Sequence, residues 1–164
     1  LPDNGGDTLF ANMSSAFQKL SSGMRKTLAG MSAVHTKKNA LQSKNLSADR
    51  QVSDDELQSM GQAVREQFIH PVIAKHPETG REILYVNPTY TVRFDGWTEE
   101  ESKPLLNFLY DQAISPENTC RFQWDEGSVV FWDNRTVWHY AVNDYHGKRR
   151  VLHRVSVKGS KVSA

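Results

Sequence analysis

The residues best suited to chemistry lie near the end of the chain, in Trp132-Asp133-Asn134-Arg135-Thr136-Val137-Trp138-His139-Tyr140 and in Arg149-Arg150-Val151-Leu152-His153-Arg154. Side chains alternate along a strand. In an extended 149–157 segment, Arg150, Leu152 and Arg154 therefore share one face, while Val151, His153, Val155 and Val157 share the other. Two guanidiniums turned into a protein interior require anionic partners, because an unpaired buried charge is very costly. A small acidic molecule meets that requirement, and the planar guanidinium fork suits carboxylate or sulfonate. A surface strand with two solvated arginines satisfies the same pattern. His139 falls between Val137 and Ala141 on one strand face, where an imidazole is either a packed residue or a metal ligand. One histidine is not a metal site: a facial iron centre needs two His and one carboxylate. The only His-x-Asp/Glu, His76-Pro77-Glu78, lies in a Pro/Gly turn and reads as a polar hairpin tip instead of a ligand pair.

Other chemistries lack their motifs. The chain has no Gly-x-Ser-x-Gly elbow, no Walker loop and no dinucleotide fingerprint. Gly5-Gly6-Asp7-Thr8 is too short for a phosphate loop. Cys120 has no neighbour that marks it as a nucleophile and reads as a packed small residue.

The elements that must position these residues fall into two halves. Met13, Ala16, Phe17 and Leu20 have the spacing of one helix face. A second helix is expected from about Ser22 to Ala29, closed by Gly30, and a short strand over 31–35. Residues 36–55 turn polar and read as a surface segment suited to a lid, with a helix beyond it around Leu57, Met60 and Val64. Phe68–Lys75 and Arg81–Phe94 read as a hairpin about the His76–Gly80 turn. Thr98 to Glu101 is a capping box, opening a helix that carries Leu105, Leu106, Phe108 and Leu109 and ends at Ser115-Pro116. Strands are then expected over 120–124, 128–132, 136–142 and 149–157. Short strands with tight turns and preceding helices indicate a β-sandwich or jelly roll with helical decoration.

Composition narrows the class. The 164 residues carry 20 Lys+Arg against 19 Asp+Glu, which gives a net charge of +1 and no broad basic footprint for nucleic acid or an anionic membrane. Four Trp, seven Phe and five Tyr are enough to fill one core. The single Cys excludes a disulfide framework and fits a reducing, cytoplasmic setting. No apolar run approaches a membrane span, and no signal-peptide pattern is present. The opening Leu1-Pro2-Asp3-Asn4-Gly5-Gly6 reads as a turn inside a domain, so the chain is expected to be part of a longer protein.

The combination of Trp132-Asp133-Asn134-Arg135, His139-Tyr140-Ala141, Asp144-Tyr145 and Arg149-Arg150 with Arg154 closely resembles the taurine dioxygenase family. Leu1-Pro2, Gly5-Gly6-Asp7-Thr8-Leu9, His70-Pro71-Val72, His76 to Gly80 and Val86-Asn87 resemble family segments in the same order. The resemblance implies a mainly β protein with helices, a double-stranded β-helix (jelly roll) incomplete at its N-terminus, with residues 1–164 as the C-terminal majority of one dioxygenase domain. It implies an Fe(II)- and 2-oxoglutarate-dependent dioxygenase that uses O2 to hydroxylate a small organic anion, a sulfonate such as taurine or a related alkyl sulfate, with release of succinate and CO2. By position, His139 is implied as an iron ligand and Arg150 as the holder of the far carboxylate of 2-oxoglutarate, with Thr8 as its hydroxyl partner. Arg154 is implied near the keto-acid end and the substrate anion, and Tyr90 beside the substrate. The family's His-x-Asp iron pair lies upstream of Gly5-Gly6-Asp7-Thr8, so the other two ligands are not in this chain. Lys37 stands where the taurine enzymes tend to have an aromatic. An incomplete homologue that binds a keto acid or organic anion without turnover is the alternative. A homo-oligomer is expected, as is common among soluble enzymes.

Overall fold

The computed structural model describes residues 1–37, 61 and 66–159. Its first element is one that apolar spacing does not announce. Strand β1 (Thr8–Asn12) runs straight into helix α1 (Met13–Lys19). Asn12 makes the junction: its backbone is extended, and its side-chain oxygen accepts the N–H groups of Ser14 and Ser15 at 3.0 Å each, which a helix start otherwise leaves without partners. Helix α2 (Ser22–Leu28) is capped by the Ser21 hydroxyl and stops before Gly30, as predicted, and β2 (Ser32–His35) follows. Beyond Lys37 the expected lid segment lies outside the described residues, and so does the helix expected around Leu57, Met60 and Val64.

The predicted hairpin is corrected in part. Its first arm divides into β3 (Phe68–Pro71) and β4 (Ile73–Lys75), and its second into β5 (Glu82–Leu84) and β6 (Thr91–Phe94). β4 and β5 pair antiparallel about the His76–Gly80 turn as expected, but β3 and β6 flank β2 in a sheet ordered β3-β2-β6. Proline explains the breaks, since neither Pro71 at the end of β3 nor Pro88 between β5 and β6 has an N–H to give a ladder.

The capping box forms as read. Thr98 Oγ1 accepts the Glu101 N–H at 3.2 Å and Glu101 Oε2 accepts the Thr98 N–H at 2.9 Å, opening α3 (Glu99–Ala113). Ser102 is buried on α3, where its hydroxyl donates to the Thr98 carbonyl and accepts the Phe94 N–H, so the helix is tied to β6. One 3-10 turn (Pro116–Asn118) leads into β7 (Thr119–Phe122), and β8 (Val137–Ala141) completes a sheet ordered β7-β1-β8. Met13, Phe17, Leu28, Phe94 and Leu109 are buried in the core that the helices share with the strands, and Trp138 packs against it from β8.

Two expected strands are absent. Residues 128–132 and 149–157 form no ladder, and Phe131, Val155 and Val157 are more than nine-tenths exposed. A strand exists only where a neighbour takes its N–H and C=O groups, and none of the described residues lies beside these segments in that way. Among the described residues no helix is long and apolar enough to cross a membrane.

His35 packs edge-on to His70 at 5.1 Å between ring centres and lies 5.9 Å from Tyr85. Its Nε2 is buried without a partner among the described residues. Burial, and less strongly the neighbouring His70, hold its pKa at about 4, below the ordinary 6.5. Between those two values the unfolded chain takes up a proton that the folded chain refuses, so this group removes stability as pH falls through the window, about 3 kcal/mol at full extent. Urea unfolding at pH 7 and pH 4.5 should therefore show a pH-dependent loss that His35→Phe reduces. An undiminished loss in that variant would exclude His35 as its source.

Candidate active site

The β7-β1-β8 sheet builds the site. Its register sets Thr8 opposite Phe122 and Ala141, and Phe10 opposite Cys120 and His139. Residues directly across a ladder share a face, so Thr8, Phe10 and His139 look out on one side while Ala11 and Trp138 turn to the other, where Trp138 meets the core. Arg150 and Arg154 both reach the Thr8 side. The Arg150 Nε–H donates to the Gly6 carbonyl at 2.7 Å, and its NH2 group donates to Thr8 Oγ1 at 3.4 Å. Trp124 Nε1 donates to the same Thr8 oxygen at 2.9 Å. The hydroxyl hydrogen of Thr8 is left to donate outward, as a carboxylate requires. Arg154 donates through NH1 to His139 Nε2 at 3.3 Å.

Thr8 and His139 are two positions apart in the register, about 7 Å by strand rise. The two guanidiniums thus stand at the ends of a short span with aromatic rings beside it. Trp132 lies 5.4 Å from Phe10 and 5.1 Å from His139 between ring centres, and its indole N–H is held by Asn134 at 2.8 Å. Partial burial, with a smaller push from Arg154, lowers the pKa of His139 and favours the neutral imidazole. Its Nε2 accepts from Arg154, so the lone pair a metal would use is on that nitrogen. His139 therefore fits as one metal ligand, and among the described residues no three His, Cys, Asp or Glu side chains converge.

Asp133 closes the turn that leads into β8 and so places His139. Its carbonyl accepts the Thr136 and Val137 N–H groups at 3.0 Å. Its carboxylate binds Arg135 at 2.6 Å and His76 Nε2 at 2.9 Å, and Arg135 holds it well below the usual carboxylate range. His76 Nδ1 meanwhile accepts the backbone N–H groups of Glu78 and Thr79. The His76 turn is thus a hairpin tip pinned to the start of β8, as its sequence context indicates.

Four of the five expected site residues, Thr8, His139, Arg150 and Arg154, come together on one face. The common face does not arise from strand alternation, because 149–157 has no ladder. Tyr90 stands apart: it is exposed in the turn before β6, its carbonyl accepts the Thr36 N–H at 2.8 Å, and no hydrogen bond or ring contact joins it to the group among the described residues. Phe10 and Trp124 were not singled out in the sequence, whereas Trp132 heads the Trp132-Asp133-Asn134-Arg135 block that was.

A model of the taurine catabolism dioxygenase TauD, TfdA family matches residues 1–156. An alkylsulfatase of Acinetobacter baylyi is 34% identical over 159 residues, covering 97% of this chain and 50% of that protein. An alpha-ketoglutarate-dependent dioxygenase of Penicillium expansum is 39% identical over 157 residues, covering 94% and 42% respectively. The crystal structure of a taurine dioxygenase from Burkholderia xenovorans superposes with a TM-score of 0.70 at 34% identity, over 90% of this chain and 44% of that one. The chain spans half or less of the length of these relatives.

Proposed function

The chain belongs to the taurine catabolism dioxygenase TauD, TfdA family and has its jelly-roll fold, and from that premise we propose that the protein is an Fe(II)- and 2-oxoglutarate-dependent dioxygenase acting on a small organic anion. The observation that carries this reading is the placement of Thr8 and Arg150 at one end, and of His139 and Arg154 at the other, of a single sheet face. In this reading Arg150 and the outward hydroxyl of Thr8 grip the far carboxylate of 2-oxoglutarate. His139 Nε2 is one iron ligand, and a His-x-Asp pair outside residues 1–164 supplies the others. Iron(II), when bound, supplies the activation of O2 against the keto acid that side chains alone do not perform.

The remaining work falls to this chain. Arg150 fixes the keto acid in one orientation, Phe10 and Trp132 wall the span against water, and Arg154 neutralises anionic charge next to His139. The substrate class we propose is a sulfonate such as taurine, or a related alkyl sulfate. Hydroxylation of the carbon beside that group, with one O2 and one 2-oxoglutarate consumed, releases succinate, CO2, an aldehyde and sulfite or sulfate. Tyr90 is kept as a substrate contact in this reading on the family resemblance alone.

The test is a panel of sulfonates, alkyl sulfates and aryloxy acids, assayed for 2-oxoglutarate-dependent succinate release by full-length protein. Release with a sulfonate or alkyl sulfate supports the reading. Binding of 2-oxoglutarate with no release by any acid favours a binding module without turnover. Arg154→Ala should lower kcat/KM for the best anion about tenfold to a hundredfold, the scale of one lost charge-assisted contact, and an unchanged substrate profile would remove Arg154 from the substrate site.

A further inference from the structure

The grip of Arg150 depends on a turn that is itself held from behind. Gly5 and Gly6 have φ of +79° and +74°, which side-chain-bearing residues rarely adopt. The turn is also packed on both sides: a Cβ on Gly5 would lie 2.5 Å from Asp144 Oδ1, and one on Gly6 2.9 Å from Arg150 Cδ. Asp144 Oδ1 accepts the Gly6 N–H at 2.7 Å, while Gly6 offers its carbonyl to Arg150 Nε at the same distance. The far side of the Asp144 carboxylate is clamped by Arg121, whose NH2 group donates to Oδ2 at 3.2 Å and whose Nε–H donates to the buried carboxylate of Asp7. Asp7, Gly6 and Thr8 are consecutive with the turn, so the clamp fixes both acceptors that Arg150 uses.

We propose that Asp144, braced by Arg121, is a positioning residue for the keto-acid anchor: it sets the Gly6 peptide so that Arg150 is held through Gly6 and Thr8 with its remaining N–H groups turned to the ligand carboxylate. The inference rests on the dioxygenase reading above. It deepens that reading by adding residues that never touch the ligand. Loss of the Asp144 carboxylate frees the Gly6 peptide to rotate, and Arg150 then loses the acceptor that sets its plane. Iron binding and the chemical step are untouched once the site is filled.

The test is calorimetric titration of 2-oxoglutarate into Mn(II)-loaded full-length protein, together with steady-state turnover. Asp144→Ala should weaken 2-oxoglutarate binding about tenfold or more, the scale of one hydrogen bond to a charged group, with kcat at saturating 2-oxoglutarate within about twofold. Asp144→Asn keeps an oxygen for the Gly6 N–H but gives up the acceptor that Arg121 uses, and should show a loss of about threefold to fivefold, like Arg121→Gln. Arg121→Gln, at a half-exposed position, should give a loss of about threefold to fivefold and serves where Asp144→Ala does not fold. Unchanged 2-oxoglutarate affinity in both Asp144→Ala and Arg121→Gln overturns the inference, and so does a loss confined to kcat or thermal stability. The reading beneath it fails separately: wild-type protein that does not bind 2-oxoglutarate, or Arg150→Ala that binds it normally, overturns the anchor itself.

Discussion

Arg150→Ala raises the 2-oxoglutarate concentration for half-maximal turnover about a hundredfold. Removing one member of a desolvated, hydrogen-bonded charge pair costs roughly 2–5 kcal/mol, and each 1.4 kcal/mol is a factor of ten in affinity. Arg150 is half-buried against Gly6 and Thr8, so a carboxylate bound there meets little competing water. The hydroxyl of Thr8 remains in the variant and holds the loss short of complete. Arg150→Lys should fall between, about tenfold, because a lysine ammonium carries the charge but cannot present a planar fork to Gly6, Thr8 and a carboxylate together. Titration of 2-oxoglutarate with succinate as the readout checks both variants, and normal coupled turnover in Arg150→Ala would refute the assignment.

What was legible in the sequence follows how local each signal is. The Thr98 box is decided within four residues and forms as read; α1 and α2 are decided within a turn or two, and their ranges agree to about a residue. Strand pairing is decided by residues far apart, which is why the reading of two unbroken hairpin arms missed both the breaks at Pro71 and Pro88 and the pairing of β3 and β6 with β2. β1 escaped because Thr8–Asn12 is short and flows into α1 with no breaker between. Arg150 and Arg154 were placed on one face by alternation, yet each arrives there through its own partner, Gly6 and Thr8 for one and His139 for the other. The alternation rested on a 149–157 strand that does not form, so the reason it offered for a shared face is not the one the structure has. Asp144 and Arg121 could not be found this way at all, since neither has a spacing that relates it to Gly6.

His139→Ala should abolish iron-dependent decarboxylation of 2-oxoglutarate, by about a thousandfold or more. Partners that merely orient a metal-bound histidine are worth 10–100-fold, and the ligand itself supplies more. Several features of the site make the loss specific. His139 remains open to solvent, so truncation leaves no large cavity, and β8 keeps its ladder to β1. Trp132 keeps its ring against Phe10 and its N–H on Asn134. Arg154 loses its acceptor, yet as an exposed guanidinium it can turn to water. The variant should therefore fold, bind 2-oxoglutarate weakly through Arg150 and Thr8, and fail to retain iron. His139→Gln, which keeps length and an oxygen donor, should recover a small part of the iron and little of the turnover. Metal content by elemental analysis, read beside succinate release and a thermal unfolding curve, separates these outcomes. If the protein folds, retains full iron and still couples 2-oxoglutarate to substrate, His139 is a packed histidine and the metal is held elsewhere.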